Sequence, residues 1–442
     1  MSTLIIAIIL FAITYVFLFA FPKYRSWIAF GSAIIFSIWL SLLCKDVEFG
    51  FKEIFGAIDF NVLMMIAGTM GIVVLFIDSK MPMRIADILL SKFKNVKMAI
   101  VAMALLAGIV SAFVDNVATV LMIAPIALAV CKKQNISPVS AIIAIAISSN
   151  LQGAATLVGD TTSILLGGYA DMTFFDFFAF KGRPGIFFAV ELGALMTIFI
   201  LLYLFRKETQ PLQLTNKTEV NDYVPTYLMG GVIVLLILAS FIKEPITEGA
   251  LLTLYNLRNG LICIVLLVVG IIINICKNKN TKMAKQVIHE LDYDTLLLLA
   301  SLFVVIQGIT SAGVITKLSE LLVNLGGNNL FLMYTIIVFA SVLISAFVDN
   351  IPYVLTMLPV VTGVAATMNV EPYVLYFGLL VGATLGGNIT PIGASANITG
   401  IGILRKEGYE VKAKDFMKIS VPFTLTAVLS GYLFIWLFWG IL

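Results

Sequence analysis

Eight stretches of about 17 to 24 residues carry almost no charge, and a chain with that many long apolar runs needs lipid as its solvent. They are Leu4–Phe21, Trp27–Leu43, Phe60–Ile77, Pro184–Phe205, Val224–Ile242, Leu257–Cys276, Thr295–Ala312 and Ile419–Leu442. Apolar residues make up 60% of the chain, against roughly 45–50% in an ordinary globular domain. Only 12% are charged and the mean hydropathy is +1.06, which excludes a nucleic-acid binder or a cytosolic enzyme. A lone histidine, His289, rules out a multi-histidine metal site or a Ser-His-Asp triad. Cys44, Cys131, Cys263 and Cys276 have neither CxxC spacing nor regularity and read as unpaired thiols. No basic residue precedes Leu4–Phe21 and no small-residue cleavage pattern follows it, so it reads as a spanning helix and not a signal peptide.

Four stretches do not fit a simple span. Residues 98–131 and 330–368 are each two apolar arms meeting at an Asp-Asn pair, and read as re-entrant hairpins. Residues 139–170 and 373–404 are interrupted by Gly, Thr and Asn, and read as broken helices. With the N-terminus outside, this arrangement puts 21 of the 28 Lys and Arg residues, Lys23 and Arg25 among them, on the cytoplasmic side. Such a bias favours this topology over its inverse, with both termini outside and the protein in the inner or plasma membrane.

The chain also repeats itself. Ser111-Ala-Phe-Val-Asp-Asn116 recurs letter for letter as Ser345-Ala-Phe-Val-Asp-Asn350, 234 residues later, and Pro125 and Pro359 keep that offset. Gly153, Thr156 and Gly159 match Gly387, Thr390 and Gly393, while Asp59 matches Asp292 at 233. The expected organisation is an N-terminal helix (1–26), a first repeat (27–205), a linker and connecting helix (206–256) and a second repeat (257–442). The expected fold is an all-α polytopic membrane protein of two inverted-topology repeats, with about ten spanning helices and two re-entrant hairpins. Inverted repeats with interrupted helices at the midplane are the architecture of secondary transporters.

Asp115 and Asp349 fall at the hairpin tips, where an ionised carboxylate costs about 2.5–3.5 kcal/mol near mid-bilayer. A cation such as Na⁺, a proton, or helix-start N–H groups would compensate them, with Asn116 and Asn350 beside each; simple N-capping is the bland alternative. The broken helices gather Asn150, Thr156, Asp160 and Thr161 in the first half, answered by Asn388, Thr390, Ser395 and Asn397 in the second. Unwound backbone there suits a hard cation through carbonyls, or an anion through helix N-termini. Asp160 matches Ala394, so the first half carries an extra acid. Asp59, Asp292 and Asp294 read as interfacial caps. An intramembrane aspartyl protease is excluded, because Tyr293-Asp294 and Gly159-Asp160 stand in reversed order and Leu157 replaces a required glycine.

These motifs resemble the ion-transporter superfamily that groups arsenite permeases, NhaD-type sodium/proton antiporters, the P protein and citrate or dicarboxylate carriers. The marks are Ser111-Ala-Phe-Val-Asp-Asn-Val-Ala-Thr-Val-Leu121, its second copy through Pro352, Ala155-Thr-Leu-Val-Gly-Asp160 with Met172-Thr-Phe-Phe-Asp176, and Gly386-Gly-Asn-Ile-Thr-Pro-Ile-Gly-Ala-Ser-Ala-Asn397 with Gly408-Tyr409. The Asp-Asn tips look most like the NhaD and P-protein branch. Gly159-Asp160-Thr161-Thr162-Ser163 and Ile389-Thr390-Pro391-Ile392-Gly393 depart from that branch's pattern, within the expected site. The resemblance implies that tips and helix breaks form one site, that a transport unit moves against a scaffold, and that, as is common in the family, the chain can pair as a homodimer.

The expected activity is ion-gradient-driven transport by alternating access, most simply Na⁺ or Li⁺ exchanged for H⁺. Asp115, Asp160 and Asp349 can hold cations and protons alternately, and no buried Lys, Arg or His is expected to offer an anion a charge. Arsenite or antimonite efflux, Na⁺-coupled dicarboxylate or citrate carriage, and a passive channel are the alternatives. No phosphate-binding loop is present, no resident cofactor is expected, and the protein is not expected to be an enzyme.

Overall fold

A computed structural model describes residues 3–44, 47, 49–212, 218–245 and 249–441; Lys45 and Lys217, counted above among the loop charges, lie outside them. The described chain is nearly all helix. The first half runs α1 (Thr3–Ala20), α2 (Arg25–Leu43), α3 (Phe51–Ala57), α4 (Phe60–Asp78), α5 (Met81–Leu90), α6 (Val96–Ser111), α7 (Asn116–Lys133), α8 (Val139–Gly153), α9 (Thr161–Tyr169) and α10 (Ile186–Leu204). Then follow α11 (Val224–Ala239), α12 (Ala250–Asn256), α13 (Arg258–Asn278), α14 (Lys282–Glu290), α15 (Tyr293–Ser311) and α16 (Val314–Gly326). The chain ends with α17 (Leu330–Ser345), α18 (Asn350–Met368), α19 (Tyr373–Gly386), α20 (Ser395–Lys406) and α21 (Ala413–Ile435).

Among the described residues nine helices are long and apolar enough to cross a membrane, or ten if α16 and α17, bent by 116°, count as one span. Sequence patterning locates the long apolar helices but treats α5, α14 and α16 as loops, because each is short and mixes polar with apolar residues. A two-residue strand pair, β1 (Ala179–Phe180) and β2 (Arg183–Pro184), is the one departure from an all-α chain among the described strands.

Side-chain caps recur in both halves. Asp59 accepts from the Val62 N–H and Asp292 from the Thr295 N–H; Asn95 and Asn329 accept from Met98 and Leu332; Asp115 and Asp349 accept from Val117 and Ile351. Each cap satisfies helix-start donors that lipid could not.

The hairpin geometry follows from close approaches. A Cβ on Gly108, late in α6, would lie 2.5 Å from Gln152, late in α8, so the two helices end at one level. Asn116, which opens α7, reaches back to Asn150 at the end of α8. The arms α6 and α7 therefore meet at a tip beside the end of α8. In the second half Gly378, Gly382 and Gly386 of α19 pack on Tyr334, Val338 and Val342 of α17, a constant separation of 44 residues. That separation also joins Gly108 to Gln152.

Outside this core, α4 and α13 lie side by side with their starts together: the Gly260 N–H donates to Asn61 Oδ1 at 2.8 Å, and Gly68 faces Cys263. Likewise α2 and α15 start together, Ser26 Oγ donating to Asp294 Oδ1 at 2.8 Å and Gly308 packing on Phe36. The four cysteines are free.

A Cβ at Gly68 would fall 2.6 Å from the Cys263 backbone, whereas one at Gly402 meets nothing within 4 Å. Gly68→Val is therefore expected to cost about 1–3 kcal/mol by forcing α4 from α13. Gly402→Ala should leave thermal unfolding of the detergent-purified protein unchanged.

Candidate functional site

Where the two tips and the two breaks converge there is a cavity of about 650 Å³. Its wall takes Asp115 and Asn116 from the first tip, Asn150, Asp160 and Thr161 from the first broken helix, Asp349 and Asn350 from the second tip, and Ser395 from the second broken helix. Eight of the twelve residues singled out in the sequence thus share one space.

The remaining four do not reach it. Thr156 and Thr390 lie in the breaks, at equivalent positions, and donate to the carbonyls of Ala112 and Ala346 at the tips. Asn397 Nδ2 donates to the carbonyls of Gly387 and Thr390, both at 3.1 Å, and Asn388 Nδ2 to that of Ile147 at 2.9 Å. Thr156, Thr390 and Asn397 thereby satisfy backbone that the breaks and tips leave without helical partners, while Asn388 ties the second break to α8 of the first half. Sequence reasoning grouped them with binding residues because composition does not separate a group that lines a cavity from one that ties the backbone behind it.

Asp160 is the buried centre of the first half. Its Oδ2 accepts from Thr162 Oγ1 at 2.7 Å and its Oδ1 from the Thr161 N–H at 2.9 Å, so it caps α9 while its carboxylate faces the cavity. Asn116 Nδ2 donates to Asn150 Oδ1 at 2.9 Å and stands 3.4 Å from Asp160 Oδ1. The halves interlock here: Asn150 Nδ2 donates to the carbonyl of Thr384, its own counterpart at offset 234, at 2.7 Å. Thr162 and Thr384 hydroxyls are 2.9 Å apart.

Two expectations need correction. Arg25, counted as a loop charge, is the first residue of α2 and forms an ion pair with Asp349, so Asp349 is compensated by a protein cation and the site does contain a basic group. Sequence missed it because Arg25 and Asp349 are brought together only by the packing of the scaffold against the second tip. Asp292 and Asp294 are not merely caps. Asp292 caps α15, as expected, but both side chains line the cavity with Glu290, and Asp294 accepts from Ser26 and caps nothing. Asp59, on α4, caps its helix as expected.

Six carboxylates (Asp115, Asp160, Glu290, Asp292, Asp294, Asp349) therefore face two basic side chains (Lys23, Arg25) across the cavity. Among the described residues they are dispersed around the wall, with no three His, Cys, Asp or Glu grouped as a metal cage. An acidic, polar-lined space of this kind attracts cations, and its amides and hydroxyls supply neutral oxygens.

Comparison with known proteins gives the family. Residues 6–382 match the model of the CitMHS citrate transporter family. An uncharacterized transporter of Mycobacterium tuberculosis is 30% identical over 345 residues, covering 76% of each chain. The chain belongs to the citrate transporter family. This family falls within the ion-transporter superfamily whose motifs the sequence carries. The human P protein is also related, 25% identical over 85% of this chain and 53% of its own length. Among solved structures, the Alcanivorax borkumensis YdaH transporter aligns over 94% of this chain and 97% of its own, with a TM-score of 0.58 at 13% identity. The Neisseria gonorrhoeae MtrF structure aligns over 88% of this chain and 83% of its own, also with a TM-score of 0.58 at 13% identity. Those two likenesses concern the fold. The protein is an integral membrane transporter.

The division of labour is testable. Asn397→Ala removes two bonds to break carbonyls and should cost about 1–3 kcal/mol in thermal unfolding. Ser395→Ala, on the cavity wall, should stay within about 0.5 kcal/mol of the parent protein while changing the apparent affinity for the transported substrate.

Proposed function

We propose that this protein is a secondary active carrier that exchanges Na⁺ or Li⁺ for H⁺ by alternating access. The observation that carries this reading is the acidic cavity at the junction of tips and breaks, where carboxylates outnumber basic groups three to one. Asp115 and Asp160 lie beside neutral amide and hydroxyl ligands, an arrangement that holds either a hard cation or a proton. Cation and proton then compete for the same carboxylates, and that competition couples the two fluxes. The family's name supports a second reading. Lys23 and Arg25 on the wall supply the positive charge that a citrate-like polycarboxylate would need, with a co-bound cation offsetting the surrounding acids.

The excess of Lys and Arg in loops on one side supports placing the open mouth of the cavity, which Lys23 and Glu290 flank, on the cytoplasmic side, with both termini outside in a plasma or inner membrane. The repeats are then inverted, the hairpins and broken helices forming the unit that moves. No resident cofactor or enzymatic step enters this scheme. Apolar, lipid-facing helices such as α1 offer a surface for pairing with a second copy.

The test is exchange in sealed proteoliposomes carrying a trapped pH dye. Added Na⁺ or Li⁺ should collapse an imposed pH gradient, K⁺ should not, and Asp115→Asn and Asp349→Asn should each slow the response about tenfold or more. An unresponsive parent protein that instead accumulates citrate would replace this reading by the second one.

A further inference from the structure

The two halves are caught in different arrangements. Ile164 of α9 is 3% exposed, whereas its counterpart Ile398 of α20, at offset 234, is 53% exposed. A Cβ on Gly168 would lie 2.6 Å from Asp59 Oδ2, so α9 is seated on the start of α4; its counterpart Gly402 has nothing within 4 Å, so α20 stands away from the start of α15. The cavity is open along α20 and shut along α9.

The opposed directions of the repeats follow from contacts. Since α4 and α13 start together, they also end together, near Lys277. From there the chain passes through the short α14 into α15, so α15 starts on the side where α4, its counterpart, ends. Exchanging the arrangements of the two halves therefore moves the opening to the opposite face.

One ion pair takes part in this asymmetry. Arg25, first residue of α2, is paired with Asp349 of the second tip, the two side chains 25% and 28% exposed. The counterpart of Arg25 at offset 233 is Arg258, first residue of α13, and the counterpart of Asp349 is Asp115. These two are not paired here. Arg258 donates through Nη1 to the carbonyl of Tyr255 at 2.7 Å and lies 3.8 Å from the centre of its ring, while its buried Nε has no hydrogen-bond partner among the described residues. Asp115 accepts only from the N–H groups of Val117 and Ala118 among the described residues.

We infer that Arg25 and Arg258 form an alternating lock: Arg25 holds Asp349 while the cavity is open along α20, and Arg258 takes Asp115 when it is open along α9. The inference rests on the alternating-access reading above. Each arginine is a tethered cation that occupies one tip carboxylate, leaving the other tip free for cargo in each end state. An arginine suits this role because it keeps its charge in a partly buried setting. Arg258 is thus a positioning residue for the half-cycle opposite to the one seen here.

Cysteine cross-linking tests this in full-length protein in membranes, with Cys44, Cys131, Cys263 and Cys276 replaced by serine. The pair Arg25→Cys with Asp349→Cys reports the observed arrangement, and Arg258→Cys with Asp115→Cys the opposite one; mass spectrometry identifies the joined peptides. Both pairs should cross-link. A protein in which the first pair joins and the second never does would overturn the lock, as would failure of the first pair. In addition, Arg258→Gln should abolish exchange and Arg258→Lys restore much of it, with the first pair still joining in the Arg258→Gln background. Exchange in Arg258→Gln as fast as in an active parent protein would also overturn it. If the second pair joins but no cation moves in liposomes, the lock stands and the cation reading falls.

Discussion

Backbone that leaves a helix inside a bilayer must find its partners within the protein, and this requirement organises the whole structure. The two breaks, at 154–160 and 387–394, persist because side chains close them, one at a repeated position and one in the second half alone. Thr156 and Thr390 reach the tip carbonyls of Ala112 and Ala346, and Asn397 ties Gly387 to Thr390. Gly159 and Gly393 let each break lie against its tip, where a Cβ would come within 2.8 Å of tip carbonyl oxygens. A tip and a break are therefore one unit in each half, and the two units meet where Asn150 bonds its own counterpart, Thr384.

That construction concentrates polar groups in a place where they are costly, and the cavity is the return on the cost. The carboxylates are not equivalent. Asp160 caps α9 and accepts from the Thr162 hydroxyl while still facing the cavity, Asp349 is held by Arg25, and Asp115 has only backbone donors among the described residues. The helices around the tips contribute more than a wall: Arg25 of α2 holds Asp349 at the second tip while Ser26 of α2 ties Asp294 of α15, so any movement of that tip against α2 would break or exchange the Arg25–Asp349 ion pair. Under the proposed alternating access, electrostatics in the cavity would thereby be coupled to the position of the tip.

Much of this was legible in the sequence because lipid imposes simple rules. Long apolar runs give the spanning helices, and the exact recurrence of Ser-Ala-Phe-Val-Asp-Asn gives the two tips. Eight of the residues named from sequence line one cavity for the same reason: intramembrane Asp and Asn are expensive and are gathered where something compensates them. What sequence could not convey is which polar groups face the cavity and which face the backbone. Thr156 and Thr161 are alike in composition and separated by five positions, yet one ties a carbonyl and the other faces the cavity. Arg25, Asp292 and Asp294 looked like loop and interface charges because their sequence positions border apolar runs. Only the packing of α2 beside α15 turns those ends inward. The helices α5, α14 and α16 escaped for a different reason, being too short and too mixed in polarity for their apolar content to signal a span.

The central claim is that cations and protons compete for the carboxylates of this cavity. Its most direct measurement is proton release from purified protein in weakly buffered detergent solution when NaCl or LiCl is added, with choline chloride as control. The account predicts a saturable release of protons with Na⁺ or Li⁺ that is much reduced in Asp115→Asn. Saturable cation binding with no proton released, or release identical with choline, would contradict it.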